Sequence, residues 1–215
     1  MIDIGGFLLW FGWFGFNAGS TLSASTNIGH IVLNTQLAGA AGAVGAMLIS
    51  FATRQPALMG NAINGSIGGL VAITAGCATM DIHFAILTGL IGGGVSVLGV
   101  MFLEKCRLDD VVGAVSVHGF CGVWGTLAAG LFLQGNLFNS HQILVQIIGI
   151  SATFIWVFFA ALIMYSLIKV SIGLRVSTMH EQRGLDLTEH GEIGYPEFNN
   201  DAAYKIEHVK ELQKL

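Results

Sequence analysis

The sequence predicts an all-α membrane protein, a polytopic bundle of about six transmembrane helices followed by a polar tail. Hydrophobic residues make up 53% of the 215 residues and charged residues only 10%, whereas about 25% of a typical globular domain is charged. Mean hydropathy is +0.72, and a chain of this size has too little interior to hide so much apolar surface from water. These values exclude a soluble enzyme and a secreted disulfide scaffold. Net charge is −4, so the basic surface of a nucleic-acid-binding protein is also missing.

Six apolar stretches are long enough to cross a bilayer, since a spanning helix needs about 20 residues. In chain order they cover approximately residues 4–22, 31–53, 58–79, 84–103, 111–133 and 142–171. The breaks between them are short and polar. Five of the nine basic and eight of the thirteen acidic residues come after residue 172. The chain therefore divides into a membrane region, 1–172, and a polar tail, 173–215.

The basic residues all fall on one side of the predicted bundle. The N-terminus, the loops after the second and fourth helices, and the tail share that side. It carries the five basic residues of the tail together with Arg54, Lys105, Arg107 and Lys169. The positive-inside rule assigns this side to the cytoplasm. We therefore expect a multi-pass protein of the cell membrane, with both termini of this chain in the cytoplasm.

One ionisable side chain, His118, falls well inside the fifth apolar stretch. Ionisable groups within spanning helices are costly and usually face the bundle interior or a water-filled path. Its small neighbours Gly119, Cys121 and Gly122 leave room for a substrate or for another helix. The alternative is a neutral histidine that hydrogen-bonds to a neighbouring helix in a structural role.

The first helix carries an aromatic and polar stripe. Four residues recur at i, i+3, i+4 and i+7, so a helix places them on one face: Trp13, Phe16, Asn17 and Ser20. Aromatic faces attract cations by about 0.5–2 kcal/mol, and a hydroxyl beside them could accept a hydrogen bond from an ammonium group. The alternative is that these aromatics anchor the helix end at the membrane interface.

Other kinds of site lack the residues that they need. No spanning segment contains Asp, Glu, Lys or Arg away from its ends, which disfavours a metal transporter or a carboxylate proton relay. The cysteines show no CxxC spacing and there is no Walker A loop, so we expect no bound metal, no cofactor and no ATP-driven pump. Ser20 and His118 lie at different depths, which argues against a nucleophilic Ser–His pair and against an enzyme. A narrow apolar pathway remains, suited to a small solute that is charged in water and can cross uncharged.

Close helix packing is a separate expectation. The Gly65-xxx-Gly69 pattern and the run Gly92-Gly93-Gly94 place glycines where backbones can approach each other. These glycines predict a compact bundle and not a substrate site.

Four separate blocks resemble the ammonium transporters of the Amt/Rh family. The blocks occur in family order and run from Trp10 to Ser20 (WFGWFGFNAGS), Gly68 to Cys77, Asp109 to Phe132 and Gly173 to Tyr195. The resemblance extends over nearly the whole chain, except for about the last 20 residues. The resemblance implies an eleven-helix protomer in a homotrimer that transports ammonium or ammonia for nitrogen uptake. This chain resembles the sixth helix onward, about half of that fold, without the first five helices and their twin-histidine partner.

The resemblance also implies roles by motif position. Ser20 matches the hydroxyl of an outer ammonium-recruitment site, and Phe16 matches one of two stacked aromatics that gate the pore. His118 matches the second of the twin pore histidines, with Trp13 and Thr74 as further pore-lining residues. Asp110 resembles the carboxylate that anchors the C-terminal tail, which in the family helps to couple the pore to PII-type signal proteins.

These features predict the C-terminal half of an ammonium transporter, in which recruited ammonium is deprotonated and conducted past His118. Two alternatives stay open. One is an ammonium sensor or regulatory scaffold that signals through its tail. The other is a truncated product without activity of its own, because a half-pore exposes polar lining to lipid.

Overall fold

The computed structural model describes residues 2–56 and 58–192, and within these ranges every regular element is a helix. In chain order they are α1 (Ile2–Gly19), α2 (Ile28–Ala52), α3 (Met59–Thr74), α4 (Ile82–Lys105), a π-helical turn (Val115–Phe120) that continues into α5 (Cys121–Leu131), α6 (Ser140–Ser171), α7 (Thr178–Arg183) and α8 (Leu185–Thr188). Six apolar helices thus follow one another in the predicted order, which confirms the all-α fold class. Residues 193–215, the second half of the predicted tail, lie outside the described residues.

Three of the described helices, α2, α4 and α6, are individually long and apolar enough to cross a membrane. The π-helical turn and α5 together form a shorter apolar helix, Val115–Leu131. Helices α1 and α3 have 18 and 16 residues, fewer than the about 20 that a spanning helix needs. Half of the six predicted spans therefore qualify by their own length and hydropathy.

The core of the residue 2–155 unit is the three-way packing of α2, α3 and α4. Gly69 of α3 faces the Ala38 carbonyl oxygen, and Gly93 of α4 faces the Gly42 carbonyl oxygen, so closely that neither position has room for a Cβ atom. Such contacts require glycine, because the obstacle is backbone that cannot rotate away. The predicted close approach of the glycine-bearing helices is confirmed.

Helix α3 ends earlier than predicted, at Thr74, and the chain then turns through residues 75–79. The fully buried amide of Asn34 in α2 holds this turn by donating to the carbonyl oxygens of Cys77 and Met80 at 3.0 and 2.9 Å. Buried backbone carbonyls need donors. The turn is therefore stabilised by a neighbouring helix, a contact that the local sequence does not reveal.

The second unit begins at Trp156, within α6. Helix α6 ends at Ser171 and Gly173 follows with φ +84°, a left-handed conformation suited to glycine after a helix end. The Ser177 hydroxyl then accepts from the backbone N–H of His180 at 3.3 Å and caps α7. Arg175 and Glu181 form an exposed ion pair across this cap at 2.5 Å.

Candidate functional site

The aromatic stripe of α1 is present in the folded protein. Trp13 and Phe16 stand one helical turn apart and pack edge to face, with ring centroids 5.9 Å apart and planes at 84°. Phe16 keeps 57% of its surface exposed. Helical periodicity alone accounts for this pair, because residues at i and i+3 lie on the same face.

Thr74 at the end of α3 joins this stripe. The indole N–H of Trp13 donates to Thr74 Oγ1 at 2.9 Å, and the Thr74 hydroxyl donates to the Leu70 carbonyl oxygen at 2.8 Å. Thr74 therefore fixes the orientation of the Trp13 indole ring. Its own hydroxyl proton is used in a hydrogen bond within α3. Trp13 and Thr74 are 61 residues apart in sequence, so their pairing is a product of the fold.

Ser20 follows the end of α1 directly, in a turn, and it is exposed. Its hydroxyl donates to the Phe16 carbonyl oxygen at 2.6 Å. The proton is thus engaged and the oxygen lone pairs remain available to accept from a cationic donor. Phe16 and Ser20 together present an aromatic ring and a hydroxyl acceptor at the same end of the helix.

Asn17 departs from the predicted stripe. It is 3% exposed, and its amide donates to the Thr35 hydroxyl of α2 at 3.0 Å. A 3.6-residue period places Asn17 about 100° from Phe16 around the helix axis, and packing against α2 then decides which of the two is buried. Asn17 consequently joins two helices, whereas Phe16 stays exposed.

His118 lies in the π-helical turn Val115–Phe120 and is exposed. Single π-helical turns within helices are rare and often occur at functional sites. The imidazole makes no hydrogen bond or ion pair with the described residues of the chain. Both ring nitrogens are therefore available to a ligand.

Asp110 caps the turn that carries His118. Its Oδ1 accepts from the backbone N–H of Val115 at 3.1 Å, and its Oδ2 accepts from the backbone N–H and the hydroxyl of Ser116 at 3.0 and 2.9 Å. Burial opposes ionisation, but these hydrogen bonds outweigh it and hold the pKa of Asp110 below its usual value. The carboxylate therefore fixes the start of the helix that presents His118.

The fifth predicted helix consequently begins later than residue 111. Residues 111–113 form a turn in which the Gly113 N–H donates to the Asp110 carbonyl oxygen at 2.9 Å and Gly113 adopts φ +69°. A side chain at Gly113 would be strained, because φ in this range favours glycine. His118 thus lies in the opening turn of its helix, nearer to the helix start than the predicted stretch 111–133 places it.

The structure brings the predicted site residues together in two groups. Trp13, Phe16, Ser20 and Thr74 form one group, and Asp110 with His118 forms the other. Helix α3 packs against both α1 and the π-helical turn, whereas α1 and the π-helical turn do not pack against each other. The predicted role of Asp110 in anchoring the tail stays a prediction. Among the described residues, no group of three or more His, Cys, Asp or Glu side chains is placed to hold a metal ion.

Sequence reasoning missed Ser116 and the capping role of Asp110. A signal was present, since aspartate at the first position and glycine at the fourth position of a turn are typical of a type I turn. The run from Asp110 to Gly113 fits that pattern. The apolar residues between them, Val111 and Val112, made the run resemble the start of a spanning helix.

The sequence of this chain matches a known protein family over most of its length. The sequence model described as the Ammonium Transporter Family matches residues 1–195. Ammonium transporter Amt2 of Archaeoglobus fulgidus is 43% identical over 211 residues, which cover 91% of this chain and 45% of that relative.

Solved structures agree with the sequence comparison. The structure titled Sensor Amt Protein superposes with a TM-score of 0.82 at 38% identity and covers 87% of this chain and 48% of its own. The crystal structure of Saccharomyces cerevisiae Mep2 gives a TM-score of 0.76 at 26% identity, covering 82% of this chain and 43% of its own. The chain thus spans about half the length of the relatives that it matches.

Proposed function

This chain belongs to the Ammonium Transporter Family, and from that premise we propose that it forms one half of the conduction pathway of a transmembrane ammonium transporter. Its apolar helices and its relatives make it part of a multi-pass membrane protein. The curated relatives are named transporters, which favours transport over sensing. The proposal assigns the two groups of site residues to successive steps.

The first step is recruitment of the cation at the α1 stripe. Phe16 offers an exposed ring whose quadrupole attracts a cation, and Ser20 offers a hydroxyl oxygen whose proton is already engaged. An ammonium ion has only donors, so it fits a site made of ring faces and acceptors. Thr74 would orient the Trp13 ring for the same task through their 2.9 Å hydrogen bond.

The second step is conduction of the neutral species past His118. Moving a charged ion into an apolar lumen costs much free energy, whereas neutral ammonia loses far less hydration free energy when it leaves water. A neutral imidazole has one donor and one acceptor nitrogen, so it can hydrogen-bond ammonia and can take up the proton that is removed. The Asp110 carboxylate would keep His118 in position, because it accepts hydrogen bonds from the backbone of the turn.

The observation that carries the proposal is the exposed imidazole of His118 on a carboxylate-capped π-helical turn in an apolar helix. An ionisable side chain in such a helix is a functional candidate by default. The imidazole of His118 is exposed and makes no hydrogen bond to the described residues, so it is free to meet a solute on that side of the helix.

Methylammonium uptake by the full-length protein containing this chain tests the proposal. We expect His118→Ala to lower the uptake rate or to change the selectivity against potassium, while His141→Ala, an exposed histidine near the start of α6, leaves both unchanged. Detergent-solubilised yield and melting temperature control for folding. Unchanged rate and unchanged selectivity in a folded His118→Ala protein would remove His118 from the mechanism.

The proposal extends to topology and assembly. We assign residues 1–172 to the membrane and 173–215 to a cytoplasmic tail, supported by the end of α6 at Ser171 and by nine basic residues on one side of the bundle. A homotrimer and a PII-type signal protein at the cytoplasmic face follow from family resemblance. Asp110 as tail anchor belongs to the same set of proposals.

A further inference from the structure

The buried face of the helix that carries His118 shifts by one residue in the π-helical turn. Cys121 and Gly125 lie on the buried face of α5. A continuous α-helix would extend this face upstream to Val117 and His118, since residues three and four apart share a side. Val117 is 3% exposed, but His118 is exposed, and the other buried residue is Ser116, at 0%. The buried pair is therefore Ser116 and Val117, one position earlier than α-helical periodicity requires.

The π-helical turn accounts for this shift. Its hydrogen bonds join residues five apart, whereas those of an α-helix join residues four apart. Ser116 therefore lies on the same side of the turn as Cys121, five residues later. Both residues are fully buried, and the Cys121 thiol donates to the Ser116 carbonyl oxygen at 3.4 Å. The additional residue in the turn brings Ser116 to the buried face and leaves His118 on the exposed one.

Ser116 is held on the buried face by a hydrogen bond and by the space that α4 leaves for it. Its hydroxyl and its backbone N–H both donate to Asp110 Oδ2, at 2.9 and 3.0 Å. Helix α4 packs against the turn with Gly99, where an added Cβ atom would lie 3.2 Å from the Ser116 Cβ and 2.7 Å from the Phe120 ring. The position thus requires a small side chain, and the Asp110 carboxylate gives the buried hydroxyl the partner that it needs.

We propose that Ser116 is a positioning residue for His118. By donating its hydroxyl to Asp110 from the buried face, Ser116 holds the segment in the π-helical register, which keeps the imidazole on the exposed face. The π-helix is the rarer form, so without this hydrogen bond the segment relaxes to the α-helical register and His118 turns toward the buried face. The consequence for conduction rests on the proposed function, whereas the consequence for the orientation of His118 does not.

Cryo-electron microscopy of the full-length protein containing this chain tests the orientation directly. We expect Ser116→Ala to show α-helical hydrogen bonds through the segment and a rotated His118 side chain. Ser116→Thr, which keeps the hydroxyl, should keep the π-helical turn. A π-helical turn with an unmoved imidazole in Ser116→Ala would overturn the proposal. Loss of the turn in both variants would assign the effect to packing against Gly99 and would contradict a role for the hydroxyl.

The matched control is Ser96→Ala, which removes the same atom from another buried serine. Ser96 lies in α4 and is 1% exposed, and its hydroxyl donates to the Gly93 carbonyl oxygen within α4 at 2.7 Å. This variant should keep the π-helical turn and the native uptake rate. Equal losses of uptake in Ser96→Ala and Ser116→Ala would show that the loss of any buried hydroxyl suffices, which contradicts a specific role for Ser116.

Methylammonium uptake measures the consequence for conduction. We expect Ser116→Ala to lower kcat by about tenfold, because a misplaced group loses rate steeply, and Ser116→Thr to keep the native kcat. The KM should stay unchanged, since the recruitment stripe lies on α1, which does not pack against the π-helical turn in the part of the chain that the structure describes. A raised KM with an unchanged kcat would contradict the proposal.

A double variant separates this proposal from the proposed function. In a His118→Ala background, Ser116→Ala should lower kcat no further, because residues that act through one another are not additive. A further loss in the double variant would show that Ser116 acts independently of His118 and would overturn the proposal. If His118→Ala alone leaves uptake unchanged, the proposed function fails, and the structures of Ser116→Ala and Ser116→Thr still decide whether Ser116 sets the orientation.

Discussion

The glycine-packed interface of α2, α3 and α4 and the stripe at the end of α1 are held together in different ways. In the glycine-packed interface, backbone packs directly against backbone, and Gly93 has no room for a Cβ atom beside the Gly42 carbonyl oxygen. In the second, Phe16 and Ser20 are exposed, and single hydrogen bonds set their geometry. The difference separates stability from the proposed transport role: changes in the interface should unfold the protein, and changes in the stripe should alter uptake.

The largest effect on stability is expected from Gly93→Val. A branched side chain at this position overlaps the Gly42 carbonyl oxygen, so α2 and α4 must separate. Overpacking typically costs about 1–3 kcal/mol and more where backbone must move. We expect a lower melting temperature in detergent and poor recovery of monodisperse protein.

The matched control is Gly149→Ala in α6, where an added Cβ atom would meet no atom within 4 Å. Its melting temperature should equal that of the native protein. Equal melting temperatures for Gly93→Val and Gly149→Ala would contradict the view that close backbone contact sustains the interface.

Thr74→Val is expected to have an intermediate effect, because it removes the acceptor of the Trp13 indole at nearly constant volume. An unpaired donor costs about 1–3 kcal/mol when buried, and Trp13 is half-buried, so the lower end applies. The freed ring should also raise the KM for methylammonium. Thr126→Val is the control, since the Thr126 hydroxyl donates to the Gly122 carbonyl within its own helix. A similar rise in KM in Thr126→Val would contradict the role assigned to Thr74.

Asp110→Ala should have a modest effect on stability and a larger one on uptake. Loss of a cap costs about 0.5–2 kcal/mol, and the π-helical turn that carries His118 loses three hydrogen bonds. We expect methylammonium uptake to fall more than the melting temperature does. Asp109→Ala, beside it and exposed, should leave both unchanged.

The contribution of Asp110 should depend on pH. Its pKa is lower in the folded protein than the about 3.9 of an unfolded aspartate. The stabilisation is therefore fully present above about pH 4 and is lost as pH falls through the lower, native pKa. The difference in melting temperature between native protein and Asp110→Ala should narrow from pH 7 to pH 3, and a constant difference would show that the carboxylate does not act through its charge.

Much of the fold was accessible from sequence because it depends on local pattern. Apolar stretches of helical length predicted six helices in the right order, and the glycines of α3 and α4 predicted a closely packed bundle. The boundaries were less accurate where a turn contains apolar residues, as at Val111 and Val112, since hydropathy does not distinguish a turn from a helix there.

The candidate site was accessible only in part. Periodicity placed Trp13 and Phe16 together, and family resemblance named Ser20, Thr74, His118 and Asp110. Neither source predicted that Thr74 holds the Trp13 ring or that Ser116 shares the Asp110 carboxylate. Trp13 and Thr74 are 61 residues apart, so their contact has no local signal, whereas the Asp110 cap had one in the turn from Asp110 to Gly113.

The sequence by itself determined that this chain is helical and membrane-embedded and that its glycine-bearing helices pack closely. Each of these follows from composition or from a period of a few residues. Only the tertiary structure decided that Asn17 is buried while Phe16 is exposed, and that the segment carrying His118 is a π-helical turn capped by the Asp110 carboxylate. The physical reason is that neighbouring helices choose which face is buried, and a hydrogen bond forms only after folding brings its donor and acceptor together.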